Sequence, residues 1–247
     1  MSRSVQDWFG NEAINTVQPK QVVAYLSKWR DAGKSTMYNH LRSFLRDFFS
    51  AAIAEGLSDS NPVEHIKSER ISVARSRLTF HEWVTICSEA EKLNDWARPC
   101  FELALLSGQR LSDIFSMKWA DIFEDKIHIT QKKTGSKVAI RTTNSLSLLG
   151  KNIQGVLDTL KTLPAKEGRV IPVTNQATIT NTFAAARAAT GISWLGSPPS
   201  FHEIRSLAAR SYTDERGAAF AQRLLGHKSA QMTEKYIDNR GSNWTEV

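Results

Sequence analysis

The 247-residue sequence predicts a mainly α-helical protein with one small antiparallel β-hairpin, arranged as a helical N-terminal domain and a larger mixed α/β domain. Three observations carry that prediction. Apolar residues recur at helical spacing in most stretches that show a pattern. The period switches to two between Lys126 and Arg141, around the turn Lys132-Lys133-Thr134-Gly135. Between Ser58 and Arg77 apolar periodicity lapses while Arg70, Arg75 and Arg77 accumulate. Residues 1–70 therefore read as one domain, 71–77 as a linker and 78–247 as a second domain.

Composition narrows the function classes. The chain is 41% hydrophobic, has no run of apolar residues long enough to span a bilayer, and opens without a signal-peptide core. A cytoplasmic location is expected. Cys87 and Cys100 have no metal-binding neighbours in sequence, so buried thiols are expected, with no metal and no cofactor. A net charge of +7 leans toward a polyanionic partner, nucleic acid first among them.

Taken in order, residues 1–17 are poorly patterned. A helix is expected from Pro19, with apolar Val22, Val23, Leu26 and Trp29, stopping at Gly33. A second follows Ser35, where Met37, Leu41, Phe44, Leu45, Phe48, Phe49, Ala52 and Ile53 form one stripe closed by Gly56. Lys34, Tyr38, Asn39, Arg42 and Arg46 lie largely off that stripe. They fit a solvated face or a helix laid in a DNA groove, and both readings stay open. Arg75 and Arg77 of the linker suit phosphate contacts or a flexible connection equally well.

Thr79 followed by Glu82 is a capping box that should start the next helix. In FELALLSGQRLSDIF an apolar helix runs into Ser107-Gly108 and then Arg110, ahead of a short helix begun by Ser112. An arginine between two helices is either a rigid oxyanion clamp or an ordinary surface residue. The hairpin follows, with Lys132 and Lys133 near its tip, where a long cation can enter a site or stay in water. Leu146–Leu163 and Asn175–Thr190 are expected as helices. Neither repeats nor low-complexity tracts occur.

The richest stretch is Ser200–Tyr236. Ser200 and Glu203 predict a helix start, and His202 and Arg205, three apart, fall on one face of it. His227 stands in Leu-Gly-His, and Tyr236 follows nine residues later. Two imidazoles, a guanidinium and a phenol suit phosphoryl chemistry without a metal, because a fixed arginine fork neutralises phosphate oxygens. Singly, each of these residues is as well explained by a hydrogen-bonded structural role.

Together they form a pattern. FHEIRSLAAR, LLGHKS and KYID, preceded by SGQRLSDI and KKTG, resemble the signature of the tyrosine recombinases, in wording closest to integrases of lambdoid phages. The resemblance is strong from about Arg75 to Trp244 and weaker before it. It implies a helical core-binding domain followed by a mixed α/β catalytic domain. It also implies that Tyr236 is the nucleophile, Arg110 and Arg205 hold the phosphate oxygens, and Lys133 protonates the leaving oxygen. His202 would be the acid or base for the tyrosyl oxygen, and His227 a hydrogen-bond donor to the phosphate. Lys34, Tyr38, Asn39, Arg42, Arg46, Arg75, Arg77 and Lys132 are the expected DNA contacts. The implied partners are duplex DNA at core-type sites and three further copies in a tetramer on DNA, from a free monomer. A DNA-bending host factor and an excisionase join them, and the tail after Tyr236 packs on a neighbouring subunit. Lambdoid integrases carry an arm-binding module and a fuller bundle ahead of the matching region, so a truncated core-binding domain is expected, with Val22, Leu26, Trp29, Phe44 and Phe48 thinly covered. Two other functions stay open: a type IB topoisomerase and a DNA-binding remnant that no longer recombines.

Overall fold

The computed structural model describes residues 2–10, 12–70, 76–164, 166–194 and 196–237. The chain forms two compact units, Met1–Val73 and Ala74–Val247. Arg75 and the tail beyond Ile237 lie outside the described residues.

The first unit is built on α2 (Pro19–Asp31) and α3 (Ser35–Ala54). Pro19 occupies the first turn of α2, and Gln18 and Gln21 cap its end reciprocally. Val22, Tyr25 and Leu26 of α2 meet Tyr38, Leu41, Leu45 and Phe49 of α3, with Val63 from the following segment. The first 17 residues are more ordered than their pattern suggests. They hold α1 (Ser2–Phe9) and a 3-10 turn at Ile14–Thr16, and Val5, Phe9, Ile14 and Val17 close over the core. Eight residues make a marginal helix alone, so tertiary contacts hold it: Trp8 and Phe9 lie 5.9 and 5.7 Å from the Tyr25 ring, and the Ser4 and Tyr25 hydroxyls are 2.9 Å apart.

The expected stripe on α3 divides into two faces. Leu41, Leu45, Phe49 and Ala52 are buried alongside Tyr38, whereas Met37, Phe44, Phe48 and Ile53 are exposed. Val22 and Leu26 are fully covered and Trp29 partly so, which leaves only Phe44 and Phe48 of the five suspect positions open. They line a groove of about 280 Å³ with Val5, Phe9 and Ile14.

Three of the residues expected at DNA have hydrogen-bond partners within this unit. Tyr38 donates to the Lys67 carbonyl at 3.2 Å, Arg42 donates to the Ile66 carbonyl, and Asn39 exchanges two bonds of 2.8 Å with the Glu69 backbone. Their polar atoms lash residues 66–69 to α3, because a chain leaving a helix without secondary structure must find partners for its backbone groups. Lys34 and Arg46 remain exposed, Arg46 beside Asp47 at 3.5 Å.

The second unit contains α4 (Phe80–Leu93), α5 (Ala97–Ser107), α6 (Leu111–Ser116), α7 (Ile153–Lys161), α8 (Gln176–Ala189), α9 (Glu203–Arg216), α10 (Ala218–Leu225) and α11 (Ala230–Ile237). Helix α5 is buried on every side from Pro99 to Ser107, its carboxylate Glu102 paired with Arg98 and Lys151, and α4, α7, α8 and α9 pack about it. Thr79 and Glu82 cap α4 reciprocally, as expected. Cys87 and Cys100 are free and buried, and burial pushes both thiols up.

A three-stranded antiparallel sheet runs β1 (Ile122–Phe123), β2 (Lys126–Thr130), β3 (Lys137–Arg141), with Thr130 opposite Lys137. The hairpin matches expectation and β1 extends it. Leu146–Leu163 does not form one helix. Its start is a two-stranded ribbon, β4 (Ser145–Leu146) with β5 (Lys151–Asn152), and α7 begins only at Ile153. Gly150 takes a left-handed conformation (φ 67°) that turns the chain, and the Asn152 side chain caps α7 by accepting from the Gly155 amide. No helix among the described residues is long and apolar enough to cross a membrane.

Candidate active site

Two glycines set the frame. Gly108 ends α5 in the left-handed region (φ 63°), and a Cβ there would lie 3.1 Å from Leu225. Gly226 ends α10 the same way (φ 67°), and a Cβ there would come within 2.8 Å of the Gln131 side-chain amide. The glycines of the S-G-Q-R and L-G-H motifs thus allow the end of α10 to press against both the α5–α6 corner and the base of the hairpin.

That corner delivers Arg110, the N-cap residue of α6. Its Nη1 donates to Gln131 Oε1 at 2.8 Å. Arg205 comes from the first turn of α9 and is 1% exposed. Its Nη1 donates to the Gly108 carbonyl at 2.6 Å, and its Nη2 to the Leu225 carbonyl at 2.7 Å, while Nε is buried without a partner. Burial, then the neighbouring Arg110, lowers its pKa to about 10, so the guanidinium stays charged at neutral pH.

His227 follows Gly226 directly. Arg205 Nη2 lies 3.0 Å from its Nε2, and Thr233 Oγ1 lies 2.9 Å from its Nδ1. A guanidinium only donates, so Nε2 accepts and Nδ1 carries the proton toward Thr233. Burial, then the charges of Arg205 and Arg110, lowers the His227 pKa to about 4. The imidazole is neutral at pH 7. In this arrangement Nε2 accepts a hydrogen bond from Arg205, so the phosphate-donor role expected of His227 requires its imidazole to change tautomer or take up a proton when a phosphate is bound.

Tyr236 lies on α11, three residues beyond Thr233. Its hydroxyl is 3.4 Å from His202 Nε2, and its ring centroid is 5.1 Å from that of His227 and 5.5 Å from the Arg205 guanidinium carbon. A bond of 3.4 Å is long for proton transfer, as catalytic bonds often are before substrate binds. His202 is the exposed N-cap residue of α9, which begins at Glu203, two positions later than the Ser200 cap implied. The Arg77 guanidinium lies 3.3 Å from the buried carboxylate of Glu203, the first residue of α9.

Five of the six expected catalytic residues thus meet in one cluster. Lys133 is the sixth. It stands exposed in the β2–β3 turn and makes no hydrogen bond or ion pair with a described residue. Lys132 beside it is also exposed, with its backbone amide bound to Asp113 Oδ1 at 3.0 Å. No group of three or more His, Cys, Asp or Glu side chains among the described residues could hold a metal ion.

Sequence reasoning missed the polar side chains beneath these residues. Gln109, Asp113, Gln131 and Thr233 are all buried. The signal for Gln131 was present: Ile127 and Ile129 face inward, and position 131 continues that alternation with a polar residue. A polar group on an apolar register needs partners, and Gln131 finds four.

The chain matches known proteins along its length. The phage integrase family model matches residues 76–242, and the phage integrase central domain matches residues 1–69. The integrase of Escherichia phage HK022 is 38% identical over 250 residues, spanning 99% of this chain and 70% of that integrase. A lambda integrase dimer bound to a COC′ core site superposes with a TM-score of 0.91 at 36% identity, covering 100% of this chain and 88% of that one. A lambda integrase tetramer bound to a Holliday junction gives a TM-score of 0.91 at 36% identity, over 99% and 71%.

Proposed function

The chain belongs to the phage integrase family, and we propose that its second unit cuts and rejoins DNA strands through a 3′-phosphotyrosine link to Tyr236. It is a site-specific recombinase, and phage DNA integration and excision are the reactions proposed for it. The observation that carries the reading is the position of the Tyr236 hydroxyl, at His202 Nε2 and beside the buried Arg205–His227 pair.

The chemistry runs as follows. A phenol with a pKa of about 10 is a weak nucleophile until its proton is removed in line with the phosphodiester. His202 takes that proton. The tyrosyl oxygen bonds to phosphorus, and the bond from phosphorus to the 5′ oxygen breaks. Lys133, carried on the hairpin turn, gives its proton to that oxygen. Arg110 and Arg205 stabilise the charge on the pentavalent transition state, which is their largest contribution. His227 holds the Arg205 guanidinium in place. The phosphotyrosine conserves the bond energy, so reversal with a partner strand rejoins DNA.

Lambda integrase is known bound to a core site and as a tetramer on a Holliday junction. We propose the same substrates here: core-type duplex sites, with a homotetramer assembling on DNA from free monomers, in the cytoplasm at the nucleoid. Lys34 and Arg46 of the first unit and Lys132 of the hairpin are the exposed cations suited to phosphates. A nicked suicide substrate tests the reading. The wild type should form a covalent adduct, and Tyr236→Phe should form none while binding DNA within a few-fold of the wild type. Failure of the wild type to form an adduct, or an adduct with Tyr236→Phe, overturns it.

A further inference from the structure

Gln131 lies at the end of β2 and is completely buried, yet no step of the reaction uses it. Its amide is fully engaged. Oε1 accepts from Arg110 Nη1 at 2.8 Å and from Thr134 Oγ1 at 2.9 Å. Nε2 donates to Gln109 Oε1 at 2.8 Å and to the Leu225 carbonyl at 2.9 Å. These are all the hydrogen bonds that two amide protons and two lone pairs can make. Flipping the amide would set N–H against the Arg110 N–H, so the surroundings dictate its orientation.

The partners matter more than their number. The Leu225 carbonyl that takes Gln131 Nε2 also takes Arg205 Nη2 at 2.7 Å. One amide and one carbonyl therefore join the two guanidiniums, which repel each other and come from helices 95 residues apart in sequence (Arg110, Arg205). The Gln131 backbone also closes the turn bearing Lys133: its amide donates to the Ser136 carbonyl at 2.9 Å, and its carbonyl accepts from the Gly135 amide at 2.8 Å. Gly226 is bare where the amide sits, since a Cβ would fall 2.8 Å from Nε2.

We propose that Gln131 is a positioning residue that sets the spacing of Arg110 and Arg205 through the Leu225 carbonyl and seats the Lys133 turn against them. It touches no reacting atom and acts through those side chains. The proposal rests on the recombinase reading above. Preorganised donors stabilise a transition state only while held in place, and a shift of about 1 Å can cost about 100-fold in rate.

The test is single-turnover adduct formation on the nicked suicide substrate, alongside DNA affinity. Gln131→Met preserves length and burial but removes all four bonds. It should slow adduct formation by about 10- to 100-fold, with DNA affinity within about threefold. In an Arg110→Ala background the same change should cost several-fold less than in the wild type, because one of the groups it positions is gone. A merely structural role would cost as much in both backgrounds, and that result overturns the proposal. Gln131→Glu provides an independent arm should the methionine variant fail to fold. The introduced carboxylate keeps an acceptor for Arg110 but faces the Leu225 carbonyl with no proton to donate. It should slow adduct formation by about 10-fold or more, with DNA affinity within about threefold. A Gln131→Glu variant that cleaves as fast as the wild type overturns the proposal. A wild-type protein that forms no adduct overturns the recombinase reading and this inference with it. A wild-type protein that cleaves, beside a Gln131→Met variant that cleaves equally fast, overturns this inference alone.

Discussion

In the first unit, Tyr38, Asn39 and Arg42 of α3 reach 24 to 30 residues along the chain to bind the backbone of the segment that follows. In the second, Asp113, Gln131, Arg205, His227 and Thr233 are buried beneath the site, with Arg205 1% exposed. Among the described residues every buried charged or amide side chain belongs to the second unit. Burying such a group costs free energy unless its partners are arranged in advance. The first unit therefore spends its polar atoms on finishing a fold. On the proposed reading the second sets several of them around a phosphate, so its energetic sensitivities should be those of a reaction as well as of a core.

After Tyr236→Phe, the largest effect should come from Lys133→Ala. Removing a general acid should slow cleavage by about 10²- to 10⁴-fold. Sulfur in place of the bridging 5′ oxygen should restore the rate, since a thiolate leaves without a proton. If the sulfur substrate is slowed as much, the acid lies elsewhere, with Lys132 next in line.

Arg110→Ala and Arg205→Ala should each raise the cleavage barrier by about 2.7–4 kcal/mol. They should differ in stability. Arg205→Ala also strips the donor from the Gly108 carbonyl and one of two from the Leu225 carbonyl, and should lower the melting temperature, whereas Arg110→Ala leaves Gln131 Oε1 still bound to Thr134. Equal melting temperatures would blur the distinction drawn between the two arginines.

In the first unit the expected effects are on stability. Leu45→Ala should lower hydrogen-exchange protection across α2 and α3 by about 2–5 kcal/mol, the usual cost of emptying a core position. Phe48→Ala, at a position 47% exposed, should change it by less than about 1 kcal/mol. A Phe48 variant as damaging as the Leu45 variant would mean that the exposed face is part of the core.

A pH dependence is also expected. His227 has its pKa lowered to about 4 in the folded chain, so the unfolded chain takes up the proton first as pH falls. The stability it contributes is complete above about pH 6.5 and lost progressively toward about pH 4. Measured as the difference from His227→Gln, wild-type stability should fall across that window. A rise would mean that the imidazole is held protonated.

Much of this was legible in the sequence. Thr79 and Glu82 announce α4, the alternation around KKTG announces β2 and β3, and the spacing of His202, Arg205, His227 and Tyr236 announces the cluster, because each is encoded over a few residues. What local pattern misses is long-range pairing. Nothing near Asn39 indicates that its partner is the Glu69 backbone. The apolar run after Leu146 imitates a helix until Gly150 adopts φ 67° and Asn152 supplies the cap. Helix α1 carries a correct but short pattern in Val5, Trp8 and Phe9, which needs Tyr25 to hold it.

The central claim, that Tyr236 is the nucleophile of a preorganised phosphoryl-transfer site, is tested most directly by mapping the covalent bond. The adduct trapped on a suicide substrate is digested with protease and nuclease, and the nucleotide-bearing peptide is sequenced by mass spectrometry. The account predicts a nucleotide joined through its 3′ phosphate to Tyr236. A nucleotide on any other residue, or one joined through a 5′ phosphate, would contradict it.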